Sequence, residues 1–237
     1  MSRLFIGFLL LLMACAPAAH FSSRTLEASV LSAHRTVAIL PFEVTQDRIR
    51  LSDIRYTGTD TSRATLQRVQ QEWYDKQARE SQAVAYQLQA LLQAQLREQH
   101  PKAGYSVQFQ EVAETNRRLQ QAGITFATLP EQSMSELQRV LGVDAILSGQ
   151  TDLYQPLPAG MGLAARMLLN EPLLGSTEPS AIPSSQATTN LTLHDCRSGQ
   201  LVWRFDFERT GTATLKPTRL TQELVRTSAE SFPYRKK

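Results

Sequence analysis

The sequence predicts a single α/β domain with a mixed sheet flanked by helices, in the order β-α-β-α-α-β-β-β-α. Three observations lead to this fold class. Residues 36–42 and 143–153 are apolar runs typical of buried strands, residues 60–99 contain neither glycine nor proline, and residues 188–209 have the alternation of a hairpin. The length of 237 residues, 42% of them hydrophobic, suits one domain with a substantial core.

The charge and the cysteine count exclude several classes of protein. Lys and Arg number 25 against 22 Asp and Glu, which leaves a net charge of +3 with no basic block beyond the last three residues. Proteins that bind nucleic acid usually concentrate their basic residues on one face, so no nucleic-acid partner is expected. Two cysteines are too few for a disulfide scaffold or a multi-cysteine zinc module.

The first half of the domain alternates strands with helices. Residues 36–42 form the first predicted strand, which ends at or near Pro41 because proline has no N–H to donate. Residues 60–99 are rich in helix-forming side chains, and an apolar stripe recurs at helical spacing from Val84 to Leu96. The part before Ser81 is mostly polar, and it is either a separate helix or an exposed extension.

Two short helices and two strands follow. Alternating apolar residues predict a second strand over 104–110, and residues 112–121 predict a helix that ends at Gly123. A further helix begins at Ser133, where Glu136 completes the spacing of a capping box, and it ends at Gly142. The apolar run at 143–153 then predicts a mostly buried third strand.

The last part of the domain is a hairpin followed by a helix. Strands over 188–195 and 201–209 are joined by a short turn. Trp203 and Phe205 alternate with charged residues, so both are expected in the core. Residues 220–232 predict the final helix.

Residues 155–186 have no strand pattern and are rich in proline, yet they carry a large apolar load. Loops normally stay polar because they run over the surface. The segment either folds back onto the core of its own domain or forms a docking surface for a partner or a second copy. Leu163, Met167 and Leu168 are the candidate contact residues of that surface.

The N-terminus carries the clearest functional signal. Arg3 precedes an apolar run from Leu4 to Met13, which is too short to span a bilayer and is typical of a signal peptide. The end of this run, Leu12-Met13-Ala14-Cys15, resembles the lipobox of bacterial lipoproteins. The resemblance implies cleavage between Ala14 and Cys15, with acyl chains on Cys15. The alternative is an ordinary secretory signal in which Cys15 is incidental.

These features give a domain organisation. Residues 1–14 are the expected signal peptide, 15–35 the lipidated cysteine with a tether, and 36–237 a periplasmic α/β domain. The residue directly after the cysteine is Ala16 and not Asp. In enterobacterial lipoprotein sorting, this resembles the signal for an outer-membrane destination. Cys196 then lacks an intramolecular partner, so it is either buried and inert, which is favoured, or free for an intermolecular bond.

Three segments of the domain resemble a known superfamily. They are Val37-Ala38-Ile39-Leu40-Pro41-Phe42, the strand entry from Leu141 to Gly149, and the hairpin from Leu193 to Trp203. Over residues 36–232 the chain resembles the superfamily of the curli-secretion lipoprotein, the lipoprotein activators of peptidoglycan synthases and related periplasmic lipoproteins. The resemblance implies an α/β fold in the periplasm and carries no catalytic motif. The tether is shorter than in the synthase activators, because 20 residues reach at most about 70 Å.

The sequence offers little to build an enzyme. It lacks the serine-hydrolase, zinc-protease and P-loop motifs. The run Gly160-Met161-Gly162-Leu163-Ala164-Ala165 matches a dinucleotide-binding Gly-x-Gly-x-x-Ala pattern by letter, but nearby prolines interrupt the required strands, so no cofactor is expected. His194 and Cys196 have the spacing of two metal ligands, yet no third ligand is evident, so no metal is expected. Asp144 is expected to cap or pair with backbone groups.

The sequence therefore favours a lipid-anchored, non-enzymatic periplasmic protein of the outer membrane that acts as an assembly or accessory component of a cell-envelope complex. Its expected partners are the membrane, through the lipid on Cys15, and an envelope protein or a second copy. An activator of a peptidoglycan synthase is the alternative, and a small periplasmic hydrolase is the weakest one.

Replacing the lipidation residue tests the proposed anchor. In a Cys15→Ser variant we expect loss of acylation and a chain that is unprocessed or soluble, because serine offers no thiol for the diacylglycerol. Membrane fractionation and intact mass measure both effects. An unchanged mass and unchanged membrane fraction would contradict the lipoprotein assignment.

Overall fold

The computed structural model describes residues 19–48, 62–156, 185–211 and 215–236. In these ranges the strands are β1 His20–Thr25, β2 Thr36–Ile39, β3 Glu43–Arg48, β4 Gln108–Phe109, β5 Ala145–Gln155, β6 Gln186–Asp195 and β7 Leu201–Thr210. The helices are α1 Ala28–Leu31, α2 Arg63–Glu98, α3 Val112–Gln121, α4 Met134–Leu141 and α5 Pro217–Ser228, with a 3₁₀ turn at Leu129–Glu131. This confirms the predicted α/β class with a mixed sheet flanked by helices.

The seven strands form one sheet in the order β1-β7-β6-β5-β2-β4, and β3 also pairs with β5. Strands β2 and β3 both run parallel to β5, and β4 runs parallel to β2. The pairs β5–β6, β6–β7 and β7–β1 are antiparallel. The sheet is therefore mixed, with β5 as its central strand.

Each face of the sheet has its own core. The larger core lies under α2 and α5 and contains Trp203 and Phe205, both fully buried as their alternation predicts. The smaller core lies under α3 and α4 and includes Ile146 and Cys196. The smaller core covers only part of this second face. Outside it, β5, β6 and β7 carry polar side chains there.

The strand predicted over 36–42 is observed as β2, which ends before Pro41, and β3 follows this break as a strand that the sequence did not predict. β2 pairs with Ala145–Leu147, whereas β3 pairs with Gln150–Gln155, so Ser148 and Gly149 lie between the two ladders. At the break, the Phe42 N–H donates to the Ala85 carbonyl of α2 at 3.4 Å instead of to the sheet. The ring of Phe42 fills the space over Gly149, where a Cβ would lie 2.3 Å from it.

Helix α2 is a single helix of 36 residues, and its first half is the exposed extension that the polar composition allows. Ser62 caps it, since its hydroxyl accepts the Thr65 N–H at 3.3 Å. The first buried residue is Ala85, and the buried side chains continue from there to Leu96. No helix in the described ranges is long and apolar enough to cross a membrane.

Helix α4 follows the capping rules. The Ser133 hydroxyl accepts the Glu136 N–H at 3.2 Å. Gly142 ends the helix with a φ of 64°, a conformation that favours glycine. The carboxylate of Glu136 pairs with Arg139 rather than returning to Ser133.

Besides β3, three segments differ from the sequence predictions. Residues 20–25, within the span expected as a tether, form the edge strand β1 on β7, since an edge strand needs only backbone pairing and no apolar pattern. The strand predicted over 104–110 is only Gln108–Phe109, because Ser106 donates instead to the Tyr234 carbonyl at 2.8 Å. The last helix ends at Ser228, and Phe232 packs into the core beyond it.

The contact between Phe42 and Gly149 is testable by a double-mutant cycle. A Gly149→Ala variant should lose about 1–3 kcal/mol of unfolding free energy, the usual cost of overpacking, because its Cβ overlaps the Phe42 ring. In the Phe42→Leu background the smaller side chain leaves room, so the same change should cost less. Denaturant unfolding measures all four proteins. Equal costs in both backgrounds would contradict the contact.

Candidate partner-binding cleft

The residues that the sequence singles out for lipidation and docking lie outside the described ranges. These are Ala14, Cys15, Leu163, Met167 and Leu168. The roles assigned to them stay predictions. The described residues contain a different candidate, a cleft beside the break at Pro41.

The cleft has a volume of about 540 Å³ and opens where β2 and β3 part. Its floor is the polar face of the sheet, with Ser148 and Gln150 on β5 and Asn190 and Thr192 on β6. One wall is the chain from Leu40 to Thr45. The opposite wall is mainly apolar and consists of Phe126, Ala127, Leu129, Pro130, Met134 and Leu137, with Gln132 among them.

The break at Pro41 is what opens this cleft. A continuous strand would pair with Ser148 and Gly149, and its side chains would stand beside the floor. Because proline donates no hydrogen bond and Phe42 turns toward α2, the chain leaves the sheet at this point. The polar floor thus stays open between the strand wall and the 3₁₀ turn.

The floor offers neutral hydrogen-bonding groups that are not used elsewhere in the described structure. Within the described ranges, the side chains of Ser148, Gln150, Asn190 and Thr192 make no hydrogen bond. Ser148 lies opposite Thr192 on the neighbouring strand, and Gln150 lies opposite Asn190. Such a pattern of hydroxyls and amides can bind N–H and C=O groups of a ligand.

Two charged side chains lie at the edges of the cleft. Arg204 on β7 donates from Nε to Asp206 Oδ1 at 2.8 Å, and about half of its side chain is exposed. Glu43 lies at the start of β3. One cation and one anion leave the lining nearly neutral, so the cleft is not built for a strongly charged ligand.

A second polar cluster, which the sequence did not predict, lies at the end of the sheet where β5 begins and β6 ends. His34 Nδ1 lies 2.5 Å from the Tyr234 hydroxyl, and His34 Nε2 lies 3.0 Å from Asp195 Oδ1. The other Asp195 oxygen accepts two hydrogen bonds from Ser198, both at 2.6 Å. The histidine, tyrosine and aspartate are all buried, so the cluster ties the segment before β2 to the hairpin turn and to the C-terminal segment.

The cluster contains serine, histidine and aspartate but lacks the arrangement of a nucleophilic triad. In such a triad the serine bonds to the histidine, which takes its proton. Here the Ser198 hydroxyl donates to Asp195, and both nitrogens of His34 are already used. The cluster is therefore structural.

The pKa values of the neighbouring groups agree with a structural role. Burial raises the pKa of Asp195, but the hydrogen bonds from Ser198 and His34 outweigh it and hold the pKa below its usual range. Burial raises the pKa of the Cys196 thiol to about 12, with a further contribution from the carboxylates of Asp195 and Asp144. The thiol is thus protonated at neutral pH, and the prediction that Cys196 is buried is confirmed.

The sequence also singles out Asp144 and His194, and the structure describes both. Asp144 Oδ2 accepts the backbone N–H groups of Arg35 at 2.8 Å and Thr36 at 2.9 Å, which confirms the predicted backbone pairing. His194 Nδ1 is buried without a hydrogen-bond partner, and burial lowers the pKa of this histidine. No group of three or more metal-ligating side chains occurs in the described part of the chain.

Comparisons with known proteins give only distant likeness. No family model and no curated protein matches the sequence. Among solved structures, the chain is similar to the PelC dodecamer from Paraburkholderia phytofirmans, at 11% identity and a TM-score of 0.40 over 93% of this chain and 99% of that chain. It is also similar to lipoprotein GNA1162 from Neisseria meningitidis, at 15% identity and a TM-score of 0.41 over 83% and 96% of the two chains.

A third similar structure is the LpoB C-terminal domain from Salmonella enterica, at 7% identity and a TM-score of 0.30 over 78% of this chain and 95% of that chain. Similarity at this level does not assign a function. The resemblance to the curli-secretion lipoprotein stays a prediction.

The buried cluster predicts how stability depends on pH. Because the pKa of Asp195 is lower in the folded chain than in the unfolded one, its ionised form stabilises the fold above about pH 4, the unfolded value. This contribution is lost as the pH falls through the folded pKa. An Asp195→Asn variant should be less stable at pH 7 and should lose less stability on acidification.

Unfolding in denaturant between neutral and acidic pH measures this effect. Asp152→Asn is the matched control, since that carboxylate is exposed on β5 and should change neither quantity appreciably. Parallel pH profiles for wild type and Asp195→Asn would show that the cluster does not contribute.

Proposed function

We propose that the protein is a lipid-anchored accessory component of a bacterial cell-envelope complex, which binds a protein partner in the cleft beside Pro41. The lipid is attached to Cys15, and Ala16 favours the periplasmic face of the outer membrane. The observation that carries the proposal is the open polar floor of the cleft, opposite an apolar wall.

The lining of the cleft fits a segment of polypeptide. A peptide presents neutral N–H and C=O groups along its backbone, which match the unpaired amides and hydroxyls of the floor. Its apolar side chains can pack against Phe126, Met134 and Leu137. The nearly neutral lining also disfavours a phosphate or a nucleic acid, which binds clustered cations.

A non-enzymatic role fits the chemistry of the described residues. Ser198 donates its hydroxyl hydrogen to Asp195, and His34, which bonds to the same carboxylate, does not activate this serine. The buried thiol is protonated and enclosed, so it is a poor nucleophile. Neither group lines the cleft.

The length of the spacer favours a partner close to the membrane. With β1 beginning at His20, only five steps separate Cys15 from the sheet, which is at most about 18 Å. Activation of a peptidoglycan synthase is a more specific alternative to this general accessory role. It requires such an enzyme to approach the outer membrane, because this spacer does not extend far from it.

A substitution that fills the cleft tests the proposal. Thr192→Trp places a large ring on the floor, so we expect a stoichiometric partner that co-purifies with the wild-type full chain from solubilised envelopes to be lost. Affinity purification with quantitative mass spectrometry measures the partner, and its identity separates a synthase from other envelope proteins.

The matched control is Gln222→Trp, which adds the same ring at an exposed position on α5. It should retain the partner. Both variants should keep the wild-type melting temperature, since neither position is buried. A partner that Thr192→Trp retains would contradict binding in the cleft.

A further inference from the structure

The first half of α2 extends beyond the end of the sheet. Gln77 donates from its side-chain amide to the Gln46 carbonyl of β3, and the Gln46 side chain donates to Ser81 at 3.3 Å. Farther along, Gln89 donates to the Ile39 carbonyl at 2.7 Å, so α2 runs antiparallel to β2 and β3. The fourteen residues before Gln77 continue for about 21 Å beyond the level of Gln46, which lies two residues before the end of β3.

This overhanging segment, residues 63–74, exposes large apolar side chains. Leu66 is 50% exposed, Trp73 37% and Tyr74 51%, and the two aromatic rings contact each other edge to face. The same segment carries two cations, Arg63 and Arg68, and one carboxylate, Glu72, so its net charge is positive. Trp and Tyr beside basic residues are typical of segments that lie at the boundary between a bilayer and water.

The strand register places the anchor at the same end of the molecule. Thr45, Asp152, Thr188, Glu208 and His20 form one row across the sheet. β1 runs antiparallel to β3, so β1 begins where β3 ends and where the overhang projects. The spacer from Cys15 to His20 reaches at most about 18 Å, which is shorter than the overhang of about 21 Å.

From this geometry we infer that residues 63–74 of α2 contact the headgroup region of the bilayer that holds the lipid of Cys15. The inference rests on the proposed lipid attachment. A spacer shorter than the overhang brings the helix to the lipid headgroups when this end of the sheet faces the membrane. Trp73 and Leu66 then enter the boundary layer, and Arg63, which lies about 60° from Leu66 around the helix, meets anionic headgroups.

Tryptophan fluorescence tests the inference on the full lipidated chain. The chain is reconstituted into vesicles of phosphatidylethanolamine and phosphatidylglycerol, either ordinary or with brominated acyl chains that quench nearby indoles. We expect clearly weaker emission in brominated vesicles, because Trp73 is exposed whereas Trp203 is fully buried. The Trp73→Phe variant should remove the difference between the two kinds of vesicle.

A second control places the probe on the packed half of the same helix. In Trp73→Phe combined with Ala94→Trp, the indole lies at an exposed position alongside the sheet, and we expect no quenching. Equal emission of the wild-type chain in both vesicles overturns the inference, as does quenching that survives in Trp73→Phe or appears at position 94. Trp73 emission that shifts with protein concentration in detergent, without quenching in vesicles, assigns the segment to a second copy and also overturns it.

The intact mass of the same sample distinguishes failure of this inference from failure of the proposed function. An acylated Cys15 without quenching of Trp73 overturns the membrane contact alone. An unmodified Cys15 overturns both, because the anchor on which the contact rests is then absent.

Discussion

The missing N–H of Pro41 is the constraint on which the arrangement around β5 depends. With no donor at this position, the last sheet hydrogen bond before the break is the one from the Leu40 N–H to the Leu147 carbonyl at 3.0 Å, and Phe42 bonds to α2 instead of to the sheet. The ring of Phe42 then needs the space over Gly149, which only a residue without a side chain leaves. The cleft and the displaced path of β3 lie at this break, and the hydrogen bond from Phe42 to Ala85 joins α2 to the same point.

The other fixed point of the molecule is the hydrogen-bond chain from Ser198 through Asp195 and His34 to Tyr234. Burial makes each of these polar groups costly unless it is paired, and here the pairing joins three segments that are distant in sequence. Asp144 adds a second carboxylate that holds the start of β2. One end of the sheet is thus held by polar pairing, the cleft lies between the two ends, and the helix projects from the other end.

The sequence predicts the parts of this fold that have a strong local pattern. The apolar run at 143–153, the hairpin around Trp203 and the capped helix after Ser133 follow from periodicity and end signals that each segment carries by itself. β1 could not be predicted, because its residues have no apolar pattern and it is stabilised by pairing with β7. The cluster around His34 was missed for a similar reason, since its members lie up to 200 positions apart. Pro41 does signal the break, but only the structure shows that the chain resumes on β5 and leaves a cleft.

The pairing of β1 with β7 has a consequence for the order in which the chain folds. Ser22 meets Asp206, 184 positions away, and His34 meets Tyr234 only at the end of the chain. Contacts of such high sequence separation form late and slow the folding rate, because a long loop must close before they contribute. The sheet is therefore incomplete until almost all of the polypeptide has been synthesised, so the segment of β1, which leaves the ribosome early, stays without its strand partner until β7 follows.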